Sequence, residues 1–133
     1  MSLSRILLML MPVGAGVQVV VGLGLWSGRL YSLVDMHRTV GVIYVVLLWV
    51  LAIIALVQRR SAKVAAFGIL WGFVIAMLGF AQQGILIGDL HWVVRVVHLI
   101  IGLAAMPIAE RLAPRIRAAT TTPAVSGELT VDR

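Results

Sequence analysis

The segment TVGVIYVVLLWVLAIIALVQ, residues Thr39 to Gln58, holds no charged side chain. At 1.5 Å per residue it makes a helix of about 30 Å, the thickness of a bilayer's hydrocarbon. Two more uncharged stretches run from Ile6 to Gly28 and from Val64 to Gly88, and a fourth, from about Leu90 to Ala109, is interrupted by Arg95. The whole chain is 62% hydrophobic and 12% charged, with a mean hydropathy of +1.09, far outside the range of a soluble domain. Strands of a membrane barrel would be about half as long and would alternate apolar with polar residues, which these stretches do not. The expectation is therefore all-α: an integral membrane, antiparallel four-helix bundle over residues 1–117, with spans at about 6–27, 36–58, 64–88 and 90–111. The first span is too long, and the second follows too soon, for a cleaved leader. Residues 118–133 are polar and poor in large apolar groups, and read as a flexible cytoplasmic tail.

Lysine and arginine set the expected orientation, because short cytoplasmic loops hold the excess of positive charge. Arg5, the Arg59-Arg60-Ser61-Ala62-Lys63 loop, and Arg111, Arg115 and Arg117 fall at one end of the spans. The opposite connections, Ser27 to Met36 and Gly88 to His91, hold Arg29, Asp35 and Asp89 and are nearly balanced. Both termini are thus expected in the cytoplasm of a prokaryotic cell, with the protein multi-pass in its inner (plasma) membrane. The net charge of +6 is then mostly topogenic charge at anionic headgroups, so membrane lipid is the expected partner and nucleic acid is not. With no cysteine, disulfides, thiolate metal sites and covalently attached c-type haem are excluded.

Ionisable groups at membrane depth are costly and usually functional. Two histidines start spans in the same way, His37-Arg38-Thr39-Val40-Gly41 and His98-Leu99-Ile100-Ile101-Gly102, each four residues before a glycine. The repeat suggests a distant duplication of a helical hairpin and puts both histidines on parallel helices. Steps of 100° per residue align His37, Gly41, Tyr44, Leu48 and Leu51 in one stripe, and His91, Arg95, His98, Gly102, Ala105 and Ala109 in another. Two neutral imidazoles on facing helices can hold one iron, so His37 and His98 are read as metal ligands of a haem b. Gly41 and Gly102 would leave room for its flat ring. Arg38, Arg95 and Arg29 lie where its carboxylates would project, and Gln83, with Gln82, could bond a carboxylate or an imidazole. The competing explanation is structural: His98 bonding a neighbouring helix while Arg95 snorkels, with glycines serving helix contact as in Gly68-x-x-x-Gly72 and Gly84-x-x-x-Gly88. Depth also bears on the pairing. His37 lies about 33 Å of helix from Arg59 but His98 only about 20 Å from Arg111. A fourth helix continuing to Arg115 or Arg117, or bent at Pro107 or Pro114, would close that gap, and otherwise His91 is the alternate ligand.

Three short motifs then align. Met36-His37-Arg38 opening the second span, Gln82-Gln83-Gly84-Ile85-Leu86-Ile87-Gly88 closing the third and Arg95-Val96-Val97-His98-Leu99 in the fourth resemble one four-helix half of the haem A synthase family. The resemblance covers about residues 30 to 105. It implies that His37 and His98 are the axial pair of one haem near the outer face. The family has two such halves and this chain one, and the glutamate that the catalytic half places three residues before its first histidine is here Val34, with Asp35 displaced by one. Oxygenase chemistry by this chain alone is therefore not expected. A homodimer through Gly14, Gly16, Gly22 and Gly24 of the first helix would restore two halves.

Three histidines without a carboxylate at ligand spacing make a poor zinc or di-iron site, and no nucleophile with its base, nor a phosphate-binding glycine loop, is present. Trp26, Trp49, Trp71 and Trp92 read as interface anchors or packing. The expected function is a small b-type cytochrome, passing electrons or serving as haem-bearing subunit of a larger respiratory oxidoreductase. Against it stand a haem-free accessory subunit and a quinone-binding or transport protein with His91, Arg95 and Asp89 at its mouth.

Overall fold

A computed structural model describes residues 3–58 and 62–119. The expected tail from 120 onward and the Arg59-Arg60-Ser61 loop lie outside the described residues. The described residues are all-helical: α1 (Leu3–Trp26), α2 (Val34–Val57), α3 (Ala62–Ala81), α4 (His91–Leu103) and α5 (Ala105–Ala119), with single 3-10 turns at Tyr31–Leu33 and Gln82–Gly84. Among the described residues four helical stretches are long and apolar enough to cross a membrane, the fourth made of α4 and the first part of α5. At most a third of the residues in each stretch is buried, and Val20, Leu70 and Met77 on the outside are each more than 60% exposed. Such an apolar exterior suits a solvent of acyl chains and would make a soluble monomer aggregate.

The ends of the helices follow from local chemistry. Gly28, at φ 76°, stops α1 in a left-handed cap: its amide donates to the Leu25 carbonyl and the Arg29 amide to that of Gly24, with Leu30 folded back onto Gly24. The third helix ends at Ala81, seven residues short of the expected Gly88, and Gly84 and Gly88 are not a helix contact. After the 3-10 turn the backbone takes positive φ at Leu86 (47°) and Gly88 (94°), which an α-helix cannot accommodate. Hydropathy misplaced this end because the connection Ile85-Leu86-Ile87 is as apolar as the helix before it.

The fourth stretch breaks at Ala104, three residues before Pro107. Pro107 has no amide for the carbonyl of Leu103 and its ring crowds that carbonyl, so the helical hydrogen bonding is interrupted between α4 and α5. That break divides the bundle. Around the half that carries the α1–α2 and α3–α4 connections, hereafter the outer half, α1, α2, α3 and α4 follow one another in a ring, and the backbones of α2 and α4 stand on opposite sides without close approach, whereas α5 packs against α1, α2 and α3. The inner half is consequently an apolar core of Leu48, Leu51, Ala52, Ala55, Ala65, Ala105, Ile108 and Leu112. The outer half keeps a space between α2 and α4.

The tightest seam joins α2 to α3. Gly68 lies on Ala52, and Gly72 on the indole of Trp49, whose Nε1 donates to the Ile69 carbonyl at 3.0 Å. Trp71 makes the equivalent bond from α3 to the Ile101 carbonyl of α4, also at 3.0 Å. Two of the four tryptophans therefore tie helices together, while Trp26 and Trp92 remain exposed.

Candidate functional site

The space between α2 and α4 is a cavity of about 340 Å³. That is within the range of small-molecule sites. Its walls run from Ala15 to Trp26 on α1 and from His91 to Leu103 on α4, so it extends about 16–18 Å along the helices at 1.5 Å per residue. The lining is mostly apolar, with polar groups at three levels: Arg38, Gln82, Gln83, His91 and Arg95 at the outer end, His37 and His98 midway, and Gln18 and Tyr44 further in.

His37 and His98 meet across this cavity. Their ring centres are 6.4 Å apart, with ring planes at 59°. The meeting puts the two histidines at one depth, so counting residues to Arg111 overstated how far inward His98 lies. Each ring rests on a glycine of the helix that precedes its own. A Cβ on Gly22 of α1 would lie 3.3 Å from Cε1 of His37, and one on Gly79 of α3 would lie 3.6 Å from Cε1 of His98. The two hairpins thus repeat the same contact, histidine early in the second helix against glycine late in the first. This pairing was not read from the sequence, where His-x-x-x-Gly drew attention to Gly41 and Gly102 instead. Those two line the cavity, but the spot a Gly41 Cβ would fill is taken by the Gln18 carboxamide, and a Gly102 Cβ would meet nothing within 4 Å.

Four side-chain atoms of cavity-lining residues are out of reach of solvent and have no hydrogen-bond partner: Nδ1 of His37, Nδ1 of His98, Oη of Tyr44 and Oε1 of Gln18. An unpaired buried polar atom costs about 1–3 kcal/mol, so four around one space are a concentrated expense for an otherwise apolar bundle. Gln18 does spend its amide, Nε2 donating to the backbone carbonyl of His37 at 3.0 Å. Among the described residues no group of three or more His, Cys, Asp or Glu side chains could hold a metal ion. A metal held by His37 and His98 would therefore need its remaining ligands from whatever accompanies it into the cavity.

At the mouth, Arg38 is exposed and Arg95 half-buried, both lining the opening, with the amides of Gln82 and Gln83 beside it. His91 also lines it, and its Nδ1 lies 3.2 Å from the Ile85 carbonyl. Arg29, Asp35 and Asp89 are not part of the wall. Asp35 lies exposed in the first turn of α2, where a negative charge favours the helix dipole. Of the glycines considered for a dimer contact, Gly14, Gly22 and Gly24 are used inside the chain against Tyr44, His37 and Leu30, leaving Gly16 alone with open space.

No protein-family model, curated protein or solved structure matches the chain.

Proposed function

We propose that this chain is a multi-pass membrane cytochrome of b type, in which His37 and His98 are the axial ligands of one haem held between α2 and α4. The observation that supports it most is the meeting of two imidazoles from opposite helices at 6.4 Å, inside a ligand-sized cavity. Two imidazole nitrogens each about 2 Å from one metal set ring centres about 6 Å apart, and a porphyrin brings the four further nitrogens that the protein lacks. Haem, when bound, supplies a one-electron couple. The chain's own groups supply the rest. Nδ1 is the sealed nitrogen of each ring, which leaves Nε2 as the ligating one. Gly22 and Gly79 keep the two rings upright against their neighbours, and Arg38 and Arg95 are the forked cations suited to carboxylates at the mouth. The inner core of α5 against α1, α2 and α3 keeps water away from the cavity's inner end. The likeness to one half of haem A synthase points the same way. Electron transfer, alone or within a larger oxidoreductase, is the role that this arrangement supports.

The deciding experiment is a reduced-minus-oxidised visible spectrum of the purified protein in detergent. Sharp α and Soret bands of low-spin haem b are expected at about one haem per chain. A folded, helical protein that takes up no haem, even when haemin is added, ends this reading and leaves the haem-free accessory subunit.

The mouth of the cavity is assigned to the outer face, with both termini in the cytoplasm of a prokaryotic cell, on the distribution of lysine and arginine. Because the chain has no cysteine, single replacements report this directly. In intact cells Ser32→Cys is expected to react with a membrane-impermeant maleimide and Ala62→Cys only after lysis; the reverse pattern would invert the topology.

A further inference from the structure

His37 is held from α1 at two places. Its ring lies on Gly22, and its main-chain carbonyl accepts a hydrogen bond from Nε2 of Gln18 at 3.0 Å. Within α2 that carbonyl is the acceptor for the amide of Gly41, four residues on, and its second lone pair is free for the glutamine. The residue whose amide meets the carbonyl is also the one whose side chain would block a second donor. At position 41 a Cβ would lie 2.5 Å from Gln18 Nε2, so the bond exists only because that residue is glycine. The two histidines differ in how much they need such a bond. His37 lies in the first turn of α2, where helices fray, and the N-cap residue Leu33 makes no side-chain cap. His98 lies two turns inside α4, and a Cβ on Gly102 meets nothing within 4 Å.

We infer that Gln18 is the positioning residue of His37: its carboxamide, seated in the notch at Gly41, latches the first turn of α2 to the middle of α1 and so fixes where the imidazole points. An imidazole is aimed by two torsions from its own Cα, so its reach across the cavity is only as well defined as the backbone beneath it. Gln18 sits well inside α1 (Leu3–Trp26), away from either end, and is a firm anchor for a helix start that has no cap. The spacing His37-x-x-x-Gly41 is thereby explained by the latch. That His37 ligates a metal rests on the cytochrome reading; that Gln18 positions it does not.

The test is nuclear magnetic resonance of the full-length, haem-free protein in detergent. With carbon-13 in the histidine carbonyls and nitrogen-15 in arginine, only the pair His37-Arg38 gives a carbonyl-to-amide correlation, because Trp92 follows His91 and Leu99 follows His98. Gln18→Met keeps the length of the side chain and removes the donor, while Gly41→Ala closes the notch. Each is expected to move the His37 carbonyl upfield, as loss of a hydrogen bond does, and the double variant no further, since both remove the same bond. Gly16→Ala, also on α1 but facing open space, should leave the signal in place. The His37 ring signal, assigned by its loss in His37→Ala, is expected to shift and broaden in both variants while that of His91 stays. Circular dichroism checks folding, and Gln18→Met decides alone if Gly41→Ala does not fold. An unmoved carbonyl in Gln18→Met overturns the latch, and a moved carbonyl with an unmoved His37 ring overturns the positioning. In haem-loaded protein the same variants should change the largest g value of the ferric electron paramagnetic resonance spectrum, which follows the angle between the imidazole planes, here 59°. Unchanged g values also overturn the positioning. A wild-type protein that takes up no haem fails the cytochrome reading, and the carbonyl and ring signals still decide this inference.

Discussion

His37→Ala and His98→Ala are each expected to abolish the low-spin haem spectrum and to weaken haem retention by at least two orders of magnitude. Loss of a group that only supports a metal ligand already costs roughly 10–100-fold in affinity, and loss of the ligand itself costs more. The two effects should be alike, because the rings stand in equivalent positions, one on Gly22 of the preceding helix and the other on Gly79. His91→Ala is the control. Its Nδ1 is within hydrogen-bond reach of the Ile85 carbonyl at the mouth, away from the histidine pair, and full haem content is expected in that variant. Absorption spectra of the three variants beside wild type decide the matter. A normal Soret band in His98→Ala with loss in His91→Ala would move the ligand to His91, and normal bands in all three would remove histidine ligation altogether. Unfolding separates a ligand from a purely structural histidine. Each alanine deletes a buried nitrogen with no partner, Nδ1, so the haem-free protein should lose little stability. A histidine present only to lock helices would show the opposite, reduced stability and no spectral effect.

Gly72→Val should destabilise the bundle more than any substitution in the cavity wall. Gly72 is buried in α3 directly against the indole of Trp49, so that any Cβ there overlaps Nε1 and the ring must leave. With it goes the 3.0 Å bond to the Ile69 carbonyl and the contact of Trp49 with Phe73, whose ring centres are 4.7 Å apart. Overpacking costs about 1–3 kcal/mol and the lost hydrogen bond about 1 kcal/mol more, a total on the order of 3 kcal/mol. Thermal unfolding in detergent checks this, with Gly16→Val as reference, since a Cβ at Gly16 meets nothing within 4 Å. Equal melting of the two variants would mean that the α2 to α3 seam is not the closest contact of the bundle. The inner core of α2, α3 and α5 also closes the cavity's inner end, so Gly72→Val should lower haem occupancy as a secondary effect without touching a ligand.

Much of this was legible residue by residue. The stripe His37, Gly41, Tyr44, Leu48 and Leu51 turns inward, with Leu48 and Leu51 fully buried, because a period near 3.6 in an uninterrupted helix fixes a face. The stripe from His91 to Ala109 does the same across the break, with Ala105 and Ala109 in the core. The end of α3 was not legible. Ile85, Leu86 and Ile87 have the hydropathy of a span and the backbone of a turn, and composition does not record φ. Nor were the glycines that support the histidines. Gly22 and Gly79 are distant in sequence from His37 and His98, and their role depends on how far each hairpin is staggered, which side-chain packing sets.

The sequence by itself determined the class of the protein: four helices long and apolar enough for a membrane, a basic end, and histidines on two inward faces. These are properties of single segments, governed by hydropathy, helical period and charge. Tertiary structure alone decided that α2 and α4 stand apart while α5 turns in beneath them, that His37 and His98 come within 6.4 Å, and that Gln18 and Tyr44 lie unpaired at the inner end. A cavity is a property of the space between elements. The fourth span breaks at Ala104, where Pro107 lacks the amide that would bond the Leu103 carbonyl, and no local pattern states how the helices on either side of such a break will pack.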